Sequence, residues 1–258
     1  MRIVRTIGEM RERRAAHESV GLVPTMGALH AGHVALFEAA RAENGLVVAS
    51  LFVNRAQFAD GDDYARYPRD EEADARIARD AGVDVLFAPR ADELYPPGFQ
   101  TWVDVEGLSQ PLEGRARPGH FRGVATVCLK LLNIVHPHRA YFGLKDAQQF
   151  GVLRRLVNDL NLELELRAVE TVRDPDGLAV SSRNVHLSSE QREQALALPH
   201  ALATRNVERA RELLAAAPGI ETEYVDVFES DGIRVLAGAI RAGSTRLIDN
   251  VPLEGESR

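Results

Sequence analysis

Two histidines three residues apart, His30 and His33, frame a glycine in the run Pro24-Thr25-Met26-Gly27-Ala28-Leu29-His30-Ala31-Gly32-His33. A short apolar stretch, Val20 to Val23, precedes the run, and an apolar-periodic stretch, Val34 to Ala42, follows it. The order reads as strand, tight turn and helix. A helix entrance attracts anions through its unpaired N–H groups and its dipole. Glycine lets a ligand approach the backbone closely, and two imidazoles add donors. That combination suits a polyphosphate under nucleophilic attack. The same His-x-x-His spacing also fits half of a metal site or two solvated loop histidines. With Cys128 as the one cysteine, a metal reading would need carboxylate partners.

Four further runs carry chemistry-bearing residues. Asn54 and Gln57 follow an apolar strand pattern, where amide side chains can read hydroxyl and carboxylate oxygens; loop capping is the plainer alternative. Arg117-Pro118-Gly119-His120-Phe121-Arg122-Gly123 places two cations and an imidazole before a helical pattern, which fits either an anion site or exposed surface arginines. Gly143-Leu144-Lys145-Asp146-Ala147-Gln148-Gln149 opens another helix after a strand. A lysine there can neutralise charge developing on a phosphate, although a Lys-Asp pair at a helix start is common on surfaces. Ser181-Ser182-Arg183-Asn184, after the turn-rich Arg173-Asp174-Pro175-Asp176-Gly177, groups hydroxyls with a guanidinium. It fits a phosphate-closing loop or a helix cap. The chain has no G-x-x-x-x-G-K-[ST] loop and no hydride-transfer glycine fingerprint. Together the runs point to nucleotidyl chemistry, which needs preorganised donors around an α-phosphate and a departing pyrophosphate.

These runs sit at the carboxyl ends of predicted strands. Strands are expected at Val20–Val23, Leu46–Val53, Val83–Phe87, Ala140–Phe142 and Leu164–Val169. Helices are expected at Val34–Ala42, Asp70–Ala81, Gly123–Val135 and Ala147–Leu160. Near-continuous apolar strands alternating with helices predict an α/β fold, a Rossmann-like, doubly wound, mostly parallel sheet covered on both faces. Such sheets bind ligands beyond the carboxyl ends of their strands. The Arg173–Gly177 turn chemistry marks a boundary between a catalytic domain, residues 1–171, and a smaller α+β domain, residues 172–258. In the latter, a helical stretch starts near Ser188 and is interrupted at Pro199. The next helix ends at Pro218-Gly219, and strands are expected at Tyr224–Phe228 and Arg246–Ile248.

The 258 residues are 45% hydrophobic and 27% charged, with formal net charge -7. That balance is ordinary for a globular protein and argues against a broad nucleic-acid surface. One cysteine allows no disulfide within the chain. Met1 to Arg14 is charged and lacks a secretory apolar core, and no apolar run approaches the ~20 residues that span a bilayer. A cytoplasmic protein without membrane partners is expected.

The joint order of motifs resembles the pantoate–β-alanine ligase (pantothenate synthetase) family of H-x-G-H nucleotidyltransferases. The resemblance runs from about Thr6 to Pro252. It rests on the His30/His33 run, Phe52-Val53-Asn54, Gln57-Phe58, Tyr67-Pro68-Arg69, Arg117 to Phe121, Lys145-Asp146 with Gln148-Gln149, Asp176-Gly177-Leu178-Ala179, Ser181 to Asn184, and Thr245-Arg246-Leu247-Ile248-Asp249-Asn250. It implies that pantoate attacks the α-phosphate of ATP, and that β-alanine then attacks the resulting pantoyl adenylate. AMP and pyrophosphate are released. Mg²⁺ would accompany ATP with no dedicated protein cage.

Carried over by position, His30, His33, Lys145, Ser181, Ser182 and Arg183 would be catalytic. Pro24, Thr25, Met26, Gly27, Gly143, Asp146 and Val172 would complete the ATP site with them. Asn54, Gln57, His120 and Gln149 would bind substrate. The resemblance further implies a homodimer formed through the larger domain.

Three positions depart from the family pattern: Arg55 where proline is usual, Leu144 where glutamate is usual, and Asp174 for glutamate after Arg173. Arg55 either retunes the pocket for another acid or amine, or faces solvent. The C-terminal domain is also short for the family. The alternatives are a paralogue joining another acid or amine, a nucleotidyltransferase that stops at the adenylylated product, and a non-catalytic or nucleic-acid-binding relative.

Overall fold

The computed structural model describes residues 1–58 and 61–253. The chain divides into two compact units, Met1–Gly143 with Val152–Val169, and Leu144–Gly151 with Glu170–Arg258. In chain order the first stretch runs β1 (Arg2–Val4), α1 (Ile7–Arg14), β2 (Val20–Thr25), α2 (Ala31–Glu43), β3 (Leu46–Leu51), α3 (Gly61–Arg66), α4 (Glu71–Asp80), β4 (Val85–Phe87), α5 (Ala91–Leu94), α6 (Glu113–Ala116), α7 (His120–Val135), β5 (Arg139–Gly143), α8 (Ala147–Asp159) and β6 (Glu165–Val169). The later stretch runs α9 (Ser189–Ala195), α10 (Ala197–Leu202), α11 (Val207–Ala216), β7 (Ile220–Ser230), β8 (Ile233–Ala242) and β9 (Thr245–Pro252).

The first unit is built on a six-stranded sheet in the order β1-β4-β3-β2-β5-β6, parallel throughout. β2 and β3 are buried along nearly their whole length, which explains why they read as continuous apolar runs without alternation. The core on one side packs Val23, Phe37, Val47, Ala49, Leu86 and Tyr141. Strand order reverses between β2 and β5, so the switch point of the sheet lies there. Pro24 helps open it. The Phe52 N–H donates to Thr25 O (3.1 Å), so Thr25 faces β3 and its neighbour Pro24 faces the β5 side with no N–H to give. The β2–β5 ladder accordingly stops at Leu22.

The second unit carries a three-stranded antiparallel meander, β7-β8-β9. Leu198, Leu202, Leu214, Leu236 and Ile240 form its core. β7 and β8 are joined at Asp231 and Gly232, whose φ values of 43° and 84° give the primed turn that matches strand twist.

Several boundaries differ from expectation. β1 was not expected; its three residues pair with β4 and carry no periodic signal of their own. β8 was missed because Ala237-Gly238-Ala239 interrupts its apolar run with residues of low strand preference, and its pairing to both neighbours makes it a strand. β7 and β9 are longer than their apolar cores suggested. The helical stretch after Ser188 breaks at Leu196. Pro199 sits in the first turn of α10, where its missing N–H is tolerated. Residues 254–258 of the expected second domain lie outside the described residues.

Candidate active site

The turn after β2 is held from several sides. Gly27 has φ 72°, and a Cβ there would lie 2.3 Å from Asp74 Oδ2 and 2.9 Å from Leu51 Cδ1. Only glycine suits both the conformation and the space. Asp74, on α4 and 2% exposed, accepts the Leu29 N–H at 2.6 Å. Burial holds its carboxyl above the usual carboxylate range, with Asp70 and Glu71 adding to the effect and the Leu29 bond opposing it. The Tyr67 hydroxyl donates to Gly27 O. Thr25 Oγ1 donates to Ser50 O (2.6 Å), and Ser50 Oγ accepts the Thr25 N–H, locking the ends of β2 and β3 together.

The two histidines form the cap of α2. His30 Nδ1 accepts the Gly32 N–H at 3.2 Å, and His33 Nδ1 accepts the His30 N–H at 3.2 Å. Their ring centroids are 4.1 Å apart. A backbone N–H can only donate, so each Nδ1 is unprotonated and each neutral ring carries its proton on Nε2. The fold thus presents two Nε2–H donors at a helix entrance whose dipole already favours anions.

Asn54 precedes and Gln57 ends a 3-10 turn, Arg55–Gln57, that follows β3. Asn54 Nδ2 donates to Gln57 Oε1 (3.2 Å) and to Gly123 O (3.1 Å). The first bond fixes the Gln57 amide, leaving Nε2 as the donor face of that side chain. α7 approaches this turn closely: a Cβ on Gly123 would lie 2.4 Å from Ala56 O. His120, 7% exposed, reaches Gln57 O through Nδ1 (2.9 Å) and Arg117 Nη1 through Nε2 (3.2 Å). A carbonyl only accepts and a guanidinium only donates, so His120 is the Nδ1–H tautomer and both ring nitrogens are engaged inside the protein. Arg117 also pairs with Glu113 at 3.6 Å. The Arg117–Gly123 run therefore buttresses the Gln57 turn.

Arg55 is exposed, and its guanidinium lies 5.1 Å from the centroid of the Tyr64 ring, which Arg69 also covers at 4.7 Å. It opens the 3-10 turn, a position that suits proline equally well.

In the second unit, Lys145 and Asp146 lie on a 3-10 turn, Leu144–Asp146, that runs into α8. Gln149 is half-buried in the first turn of α8, and Gln148 is 6% exposed. Val172 O accepts the Val180 N–H at 3.0 Å. That pairing sets the stem of the loop carrying Ser181, Ser182 and Arg183. Ser181 Oγ accepts the Arg183 N–H at 3.3 Å, so Ser181 does cap the short 3-10 helix Ser182–His186. Asn184 Nδ2 ties that helix back to Ala179 O (3.1 Å).

Cys128 is buried, and burial pushes its thiol up to about 12, so it is inert as a nucleophile. Among the described residues, no group of three or more His, Cys, Asp or Glu is arranged to hold a metal, and no helix is long and apolar enough to cross a membrane.

Sequence reasoning assigned no role to Asp74, Tyr67 or Glu113, which shape the site through its backbone. Tyr67 was visible in the Tyr67-Pro68-Arg69 motif. Asp74 had no signal, because an acidic residue in a helix of high charge reads as solvated.

The family model described as pantoate-beta-alanine ligase matches residues 2–252. A pantothenate synthetase from Roseiflexus castenholzii is 50% identical over 277 residues, with 98% of this chain and 100% of the relative covered. One from Thermotoga neapolitana is 47% identical over 279 residues, with the same shares covered. The crystal structure of pantothenate synthetase from Thermus thermophilus superposes with a TM-score of 0.91 at 47% identity, covering 98% of this chain and 99% of that one. The pantoate-β-alanine ligase from Francisella tularensis, complexed with β-γ ATP and β-alanine, superposes with a TM-score of 0.88 at 36% identity, covering 98% and 97%.

Proposed function

The chain belongs to the pantoate–β-alanine ligase family and joins pantoate to β-alanine to make pantothenate; we propose that it does so in two steps through an enzyme-bound pantoyl adenylate. In the first step a pantoate carboxylate oxygen bonds to the α-phosphorus of ATP, and the bond to pyrophosphate breaks. In the second, the neutral β-alanine amine bonds to the acyl carbon. AMP leaves with the electron pair, and the amine proton passes to solvent.

The observation that carries this reading is the shared tautomer of His30 and His33. Both present Nε2–H donors at a helix entrance, held by backbone N–H groups at 3.2 Å. We assign them to the phosphates, where they offset charge as the α-phosphorus is attacked. Lys145 bridges phosphate oxygens, Asp146 meets the ribose side, and Ser181, Ser182 and Arg183 bind phosphates. Pro24, Thr25, Met26, Gly27, Gly143 and Val172 contribute nucleotide contacts. Gln57 and Gln149 hold the hydroxyls and carboxylate of pantoate. Asn54 and His120 support Gln57: its amide is fixed by Asn54, and its carbonyl is backed by His120. Mg²⁺ enters as part of the ATP substrate, bound to its phosphates. The domain boundary near residue 171, a homodimer through the larger domain and a cytoplasmic location belong to the same reading; light scattering at twice the 28.4 kDa chain mass tests the dimer.

The first experiment is pantoate-dependent ATP–pyrophosphate exchange without β-alanine. Exchange in its absence is expected, because the adenylate forms before the amine reacts. No exchange until the amine is added would sink the two-step route. A panel of other acids and amines run alongside is expected to stay silent. In the same assay His30→Ala and Lys145→Ala should each lose on the order of 3 kcal/mol of transition-state stabilisation, about 10²-fold in rate. Near-normal rates in either variant remove that residue from its role.

A further inference from the structure

Two motifs of the resemblance have no part in the chemistry so far, Arg173 ahead of Asp176-Gly177 and Asp249-Asn250 in β9, and in the second unit they meet. Asn250 Nδ2 donates to two consecutive backbone carbonyls, Leu144 O at 2.8 Å and Lys145 O at 2.9 Å. Those carbonyls belong to the 3-10 turn that carries Lys145. Asn250 is itself fixed: its N–H donates to Asp249 Oδ1 (2.8 Å), and its carbonyl accepts from Arg173 Nη2 (3.2 Å). Arg173 clasps the Asp249 carboxylate with both arms, Nη1 to Oδ2 at 2.6 Å and Nη2 to Oδ1 at 2.9 Å. It also donates to Gly177 O (3.1 Å) and pairs across a β-bridge with Ala179, two residues before Ser181. Asp249 is 3% exposed and Asn250 7%. Bonds made out of water and shared in a network are the ones whose loss is felt most.

A lysine side chain is a flexible tether, so the placement of its backbone decides where the ammonium can reach. Misplacement by about 1 Å can cost on the order of 10²-fold in rate. We propose that Asn250 is a positioning residue for Lys145, and that Arg173 and Asp249 anchor the Lys145 turn and the stem of the Ser181–Arg183 loop to one fixed point. The proposal rests on the assignment of Lys145 to the phosphates, and the test separates the two.

The test compares Asn250→Ala, Lys145→Ala and the double variant by pantoate-dependent ATP–pyrophosphate exchange, with KM for each substrate and a urea midpoint for each protein. Asn250→Ala is expected to lower kcat about 30-fold with the KM for pantoate within twofold. Adding it to Lys145→Ala should lower the rate no further, because a residue acting through another loses its effect when that other is gone. A purely structural residue would lower both backgrounds alike. Arg173→Lys keeps the charge but not the two-armed clasp, and serves as the milder probe should Asn250→Ala not fold. It is expected to lower kcat several-fold, and by less in the Lys145→Ala background, where only its effect through the Ser181–Arg183 stem is left.

Rates within twofold of wild type in Asn250→Ala, or losses that multiply in the double variant, overturn the positioning role and leave Lys145 in place. Where Arg173→Lys stands in, a loss as large in the Lys145→Ala background as in wild type does the same. Near-normal exchange in Lys145→Ala overturns the phosphate assignment and the positioning role with it.

Discussion

The Gln57 amide and the two imidazoles at the entrance of α2 owe their donor faces to hydrogen bonds made within the protein. Asn54 gives one amide hydrogen to Gln57 Oε1 and the other to Gly123 O. Truncating it frees the Gln57 amide to rotate. Asn54→Ala is therefore expected to raise the KM for pantoate about 10-fold while leaving the KM for ATP unchanged, and steady-state kinetics in each substrate check the split. Arg55 makes the opposite case. It is exposed, its contact is with the Tyr64 ring, and it occupies a turn-opening position that accepts proline. Arg55→Pro should keep pantoate turnover within about twofold, and its loss of one exposed cation–π contact should cost under about 1 kcal/mol. A large drop in turnover with pantoate would return the arginine to the pocket.

At the scale of elements, the β2–α2 turn is the best-determined piece of the site, because strand, turn and helix each close onto it. The β2–β5 ladder stops at Leu22, short of the turn, and Asp74 of α4 takes the Leu29 N–H. Gly27→Ala must place a Cβ against the Asp74 carboxylate and strain a positive φ. A stability loss of about 1–3 kcal/mol by urea denaturation is expected, with a larger proportional loss in exchange rate. Unchanged stability and rate would show that the turn can relax without cost. The strand–turn–helix order here was legible because the apolar periods on both sides of the glycine run are strong. The support from α4 was not, since nothing in a helix of alternating charges distinguishes Asp74 from its exposed neighbours before it is packed.

For the whole molecule, the pH response sums opposing carboxylates. Glu71 lies below its ordinary range through the hydrogen bond and charge of Arg5, and Glu43 through Tyr141 with Arg167 and Arg139. Burial works against Asp176, but the Leu178 N–H and Arg192 outweigh it, so it too is lowered. A carboxylate lowered in the fold contributes stability that is present above its unfolded value, near 4, and is lost as pH falls through the folded value. Stability should therefore decline from about pH 5 toward pH 3. The individual contributions are small, since these side chains meet solvent. Asp74 has the reverse sign: its carboxyl is raised by burial, so the fold gains as it protonates. Asp74→Asn keeps an acceptor for the Leu29 N–H and removes that gain. The expected result is a steeper acid decline in urea midpoints than wild type, and an unchanged slope would show that Asp74 is not held above its ordinary value.

Taken alone, the residues determined the parallel α/β architecture, the positions of most helices and the presence of the donor-rich runs. They did so because local hydrophobic period, turn chemistry and helix-entrance polarity act over a few neighbouring residues. The tertiary structure decided what those runs do with one another. It assigned His120 to backing Gln57, fixed the tautomers of His30 and His33, and turned the stretch at 233–242 into the middle strand of a sheet. It also brought Arg173 and Asn250, 77 residues apart in the chain, to the turn of Lys145. Long-range hydrogen bonds and cross-strand pairing leave no period in the sequence, because their partners become neighbours only after the chain has folded.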